Sequence, residues 1–127
     1  MVKSISDLEA LIRALGSSYT KRENNILTRI AIAKGEEIGV VLTLDNKANV
    51  LRVAIPLDVE PFEKALNVLL HENFVSTTYK IGIDYEGYLV IINDLPSRCI
   101  NTVKDLKEVL LNTIEGARSI LKRSEHE

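Results

Sequence analysis

Cysteine is nearly absent from the sequence: Cys99 stands alone. One thiol can form neither an internal disulfide nor a thiolate zinc site, so the bridged framework of small secreted domains is excluded. Histidine is almost as scarce. His126 lies in the polar C-terminal segment, and His71 falls on the polar side of an expected helix. No H-x-x-H or H-E-x-x-H pattern occurs, so no metal site is expected. Nucleophilic catalysis needs a nucleophile, a base and a group that orients the base. Neither Ser97 nor Cys99 has such partners nearby in sequence, and no G-x-S-x-G elbow exists. Gly35 and Gly39 match neither a phosphate loop nor a dinucleotide fingerprint. The reading is therefore a chain with no catalytic residues, no metal and no cofactor. No enzymatic activity is expected.

Long apolar runs are also missing. None approaches the roughly 20 residues that cross a bilayer, and the first residues lack the charged-then-apolar order of a signal peptide. A soluble cytoplasmic protein with no membrane partner is expected. Charge of one sign is lacking too, the formal net charge being -2. A nucleic-acid binder shows a strong basic excess or stripe. The first 34 residues lean basic, but Lys21 and Arg22 fall in a polar stretch that reads as a solvated loop. Nucleic acid is not an expected partner.

What is present is an ordinary globular composition, with 46% hydrophobic and 27% charged residues. The 127 residues suit a single domain, with 122–127 as a polar tail. Ser6-Asp7-Leu8-Glu9 has capping-box spacing, and Leu8, Leu11, Ile12 and Leu15 recur at helical spacing up to Gly16. Three strands follow at 26–33, 38–44 and 50–55. Their short connections force antiparallel neighbours. A second helix is expected from near Pro61, with Phe62, Ala65, Leu66, Leu69 and Leu70 on one stripe and Lys64, Asn67 and His71 opposite. Two more strands run over 79–85 and 88–92. Asp84-Tyr85-Glu86-Gly87 between them is the turn of a hairpin, too short for a calcium loop. The last helix starts at Thr102, a good N-cap, and carries Val103, Leu106, Val109, Leu110, Ala117, Ile120 and Leu121 on one face, with Leu111 off it. The expected fold is α+β in two layers, α-β-β-β-α-β-β-α, with a mainly antiparallel five-stranded sheet and three helices.

The stretch "DYEGYLVIINDLP" followed by a long amphipathic helix resembles the type III secretion chaperone-like fold, the group of the class I secretion chaperones and the YbjN-like proteins. The places of that pattern are held here by Asp84, Gly87, Leu89, Ile91, Leu95 and Pro96. The expected element order is similar over most of the chain. The resemblance implies a homodimer without catalytic residues that binds partner segments on apolar surface. The second helix, a dimer element in many class I chaperones, has only one apolar stripe in this reading. A second functional class is kept beside this one: a small-ligand-binding or regulatory domain with a cavity between sheet and helices.

"YLVIIN" itself, Tyr88 to Asn93, poses a packing question. A strand with one wet face alternates, because successive side chains point to opposite sides. This one is apolar on both. If Tyr85, Glu86 and Gly87 form a three-residue loop with Gly87 left-handed, Leu89 and Ile91 share the core face of Ile81 and Ile83. Tyr88, Val90 and Ile92 then point the other way and are the expected contact with a second copy or a bound segment.

Overall fold

The structure is a computed structural model that describes residues 1–33 and 35–125. Its element order is α1 (Ile5–Leu15), β1 (Tyr19–Arg22), β2 (Asn25–Ala33), β3 (Glu36–Asp45), β4 (Val50–Pro56), α2 (Ala65–Val75), β5 (Lys80–Ile83), β6 (Leu89–Pro96) and α3 (Val103–Ser124), with a 3-10 turn at Ser97–Cys99. The fold class is the expected α+β, with three helices among the described residues, but the sheet has six strands rather than five. They lie in the order β1-β2-β3-β4-β6-β5, antiparallel throughout. The added strand, β1, occupies the stretch read as a loop. Only Tyr19 of its four residues is apolar and packs on the core. A short polar edge strand leaves no alternation to detect.

One face of the sheet builds the core. Leu42 stands opposite Ile26 and Val53, and Ile91 opposite Ile55 and Ile81. Helices α1 and α3 cover this inner face with Leu8, Ile12, Leu106, Leu110, Ile114 and Ile120, all buried. Both helices start with a capping box. In α3 the expected N-cap Thr102 is joined by Asp105 in a box; in α1 the box joins Ser4 and Asp7, two residues earlier than the Ser6–Glu9 spacing placed it. Either pair offers a hydroxyl three residues before a carboxylate, so spacing alone does not choose between them. Gly16 ends α1 in the left-handed region, at φ 87. Helix α3 runs on to Ser124, so Lys122 and Arg123 form its last turn rather than a tail. His126 and Glu127 lie outside the described residues.

The hairpin of β5 and β6 has the expected three-residue loop. Asp84 N–H donates to Tyr88 O at 2.8 Å, Gly87 N–H to Asp84 O at 3.0 Å, and Gly87 has φ 88. The Asp84 carboxylate accepts from the amides of Glu86 and Tyr88. This register puts Leu89 opposite Ile83 and Ile91 opposite Ile81. Leu89 and Ile91 are fully buried on the inner face.

Candidate functional site

Tyr88, Val90 and Ile92 point to the outer face of the sheet, away from α1 and α3. Tyr88 and Ile92 are partly exposed, but Val90 is only 7% exposed within the single chain. It stands between Pro56 on β4 and Gly82 on β5. A Cβ at Gly82 would lie 3.4 Å from Ile92 Cδ1 and 3.7 Å from Val90 Cγ1, ordinary contact distances, so both side chains pack directly against this glycine. Ile92 borders an open concavity of about 310 Å³ that Arg52, Asp94, Lys80, Thr78 and Tyr79 also line. Arg52 Nε and Nη2 donate to the two Asp94 oxygens at 2.7 and 2.8 Å. That bidentate bond raises the arginine's pKa further above its ordinary value.

A second concavity, of about 530 Å³, lies by β1 to β4. Leu27, Arg29, Gly39, Val41 and Pro56 line it from the outer face and Asp58 from the following loop. It is an open groove on the sheet's outer side, not a chamber between sheet and helices. Among the described residues no group of three or more His, Cys, Asp or Glu could hold a metal ion. Cys99 is an exposed free thiol. Among the described residues no helix is long and apolar enough to cross a membrane.

A row of exposed apolar side chains lies on α2, where the sequence pattern showed a stripe but not its direction. Leu66, Leu70 and Phe74 follow one another at four-residue spacing and therefore share a face. They are 73%, 60% and 87% exposed. The buried side of the helix is a different one, formed by Ala65 and the half-buried Leu69, with Phe62 just before it. Helix α2 is thus apolar on two sides, and only one is used within the chain. Ile83 and Tyr85 on the neighbouring hairpin are exposed as well.

Polar contacts explain why α2 turns this side outward. Asn73 makes two hydrogen bonds to the backbone of Ile81, which places α2 along the free edge of β5. Glu72, its neighbour, accepts from Tyr79 Oη at 2.6 Å and from Arg123 Nη2 at 3.0 Å. The Tyr79 phenol is pushed up to about 12, first by burial and then by its bond to Glu72. Its ring lies against Gly116 of α3. The helix therefore rolls its Asn73 side toward β5, and Leu66, Leu70 and Phe74, next round the helix, are left on the surface.

No protein-family model matches the chain, and no curated protein does. Solved structures match its fold. A chain of the HopA1-SchA chaperone-effector complex superposes with a TM-score of 0.67 over 88% of this chain and 88% of its own, at 17% identity. The Yersinia pestis type III secretion chaperone SycH, in complex with a stable fragment of YscM2, gives a TM-score of 0.65 over 90% of this chain and 96% of its own, at 19% identity. The chain has the type III secretion chaperone-like fold.

Proposed function

We propose that the protein is a non-enzymatic, chaperone-like interaction module of the cytoplasm that works as a homodimer and holds a segment of another protein on apolar surface. The observation that carries this reading is the α2 stripe of Leu66, Leu70 and Phe74, exposed on a helix whose other side is already packed. Isolated exposed apolar residues are common, but a contiguous row on a helix marks an interaction surface. A row on one helix is self-complementary about a two-fold axis, so a second copy covers it with no further element. The fold supports the same reading, since SchA and SycH are chaperones solved with a protein partner. Of the outer row, Tyr88 and Ile92 offer the surface for the partner segment, Ile92 bordering the small concavity, while Val90 is buried between its neighbouring strands and supports them from beneath.

Sedimentation velocity tests the first half. The parent chain should sediment as a dimer at tens of micromolar, and Leu70→Lys as a folded monomer. A parent that is monomeric at that concentration overturns the dimer. Crosslinking from a photoreactive residue at position 92, in cells of the native host, tests the second half. A discrete polypeptide adduct is expected, and crosslinks to self alone would move the outer row into the dimer interface.

A further inference from the structure

Strand β5 is the last strand of the sheet, so the backbone groups on its far side have no strand to pair with. Ile81 presents two of them. Its N–H donates to Asn73 Oδ1 at 2.8 Å, and its carbonyl accepts from Asn73 Nδ2 at 3.3 Å. A primary amide offers an acceptor and a donor side by side, as a residue of a neighbouring antiparallel strand does. One side chain thus answers what a further strand would answer. Lys80 completes the exchange from the strand's side: its ammonium donates to the carbonyls of Asn73 and Ser76 at 2.7 and 2.6 Å. These are carbonyls at the end of α2, where a helix has no acceptor-satisfying turn of its own. Helix end and strand edge therefore satisfy each other.

We propose that Asn73 is an edge guard: it closes β5 to strand addition by the same edge of a second copy of this chain. Unguarded edges with apolar side chains template such pairing. Behind the guard, β5 carries Ile83, which is 60% exposed, and only one charge, Lys80. The opposite edge is protected differently, by Lys21 and Arg22 on the four-residue β1. The guard also has to hold its helix in place. Lys64 gives α2 no side-chain N-cap, and no acidic residue lies in its first turn. Asn73 and the adjacent Glu72 are its polar fasteners.

The test is Asn73→Ala, read by amide exchange at Ile81 and by light scattering, each against the parent at equal concentration. Alanine favours the helix more than asparagine does, so α2 itself is kept. The Ile81 amide should exchange faster by about tenfold or more, as a freed edge amide does, while Ile55 and Ile91 keep their protection. The particle mass should rise above the parent's as concentration increases, whether the parent is a monomer or a dimer. A folded variant whose Ile81 amide stays as slow as the parent's, or whose mass stays at the parent's, overturns the proposal. If Asn73→Ala does not fold, Asn73→Ser, too short to span both backbone groups, is judged by the same two readouts. Because both are compared with the parent, failure here leaves the α2 dimer standing, and failure of that dimer leaves the guard standing.

Discussion

Gly116 sits inside a 22-residue helix, where alanine would ordinarily be better by about 1 kcal/mol. Here a Cβ would lie 2.7 Å from Tyr79 Cγ and 2.8 Å from Cδ1 and Cδ2. The obstacle is the face of a ring tied at its hydroxyl to Glu72, so neither partner yields cheaply. Gly116→Ala should therefore destabilise the fold, by about 1–3 kcal/mol as overpacking does, reversing the usual sign. Urea unfolding measures it, and in a Tyr79→Ala background the penalty should vanish. Ile91, fully buried between Ile55 and Ile81, sets the second test at this scale. Ile91→Ala should lower stability by about 2–5 kcal/mol in the same assay. If it is silent, the register of β6 is wrong. The inner–outer alternation of this strand could be read from the sequence once glycine's preference for a left-handed loop position was applied to Gly87. The burial of Val90 could not. It depends on Gly82 and Pro56 standing on either side of it, which is a matter of strand order and not of any local pattern.

At the scale of elements, the two inner-face helices are the parts the sequence describes best, since each combines a cap with a single apolar stripe. Their caps also make them sensitive to acid. The Asp7 carboxylate lies below its ordinary value, first because the Lys3 amide donates to it, and Asp105 likewise through the Asn101 amide. A carboxylate with a lowered folded-state pKa adds stability above its unfolded value, near 3.8, and that stability is lost as pH falls through the lowered value. The urea midpoint should then drop below about pH 4, and the drop should be shallower in an Asp7→Asn, Asp105→Asn double variant. Identical acid profiles would show that the caps do not contribute. Two elements were less legible, for different reasons. Strand β1 has a single apolar side chain, so periodicity says nothing about it. Helix α2 begins four residues after Pro61, at Ala65, and is apolar on two sides. A stripe read along the chain says that a face will be covered, not by what. The direction of α2 is set by Asn73 reaching Ile81 and by Glu72 reaching Tyr79 and Arg123, contacts that span 7 to 51 residues and carry no local signature.

For the whole molecule, the division of labour between the layers decides how stability and association are related. The core of inner-face residues with α1 and α3 closes without α2's outward stripe, because Leu66, Leu70 and Phe74 are absent from it. Folding and the proposed self-association therefore draw on different side chains, and substitution can separate them. A lysine in place of Leu70, already 60% exposed, should cost the single chain no more than about 0.5 kcal/mol, as surface changes do. In a dimer the same lysine sits in an apolar contact and faces its own copy across the two-fold axis, where desolvation and like charge both oppose association. A species that binds only the folded chain stabilises it by mass action, and a second copy of the chain is such a species. The thermal midpoint of the parent should consequently rise with protein concentration. That of Leu70→Lys should be flat and should meet the parent's curve at the dilute end, where the parent is dissociated. A parent whose midpoint does not move with concentration would remove α2 as a self-association surface. A variant that melts below the parent even at the dilute end would mean that Leu70 contributes to the fold itself, and the separation of core from contact surface would fail at that residue.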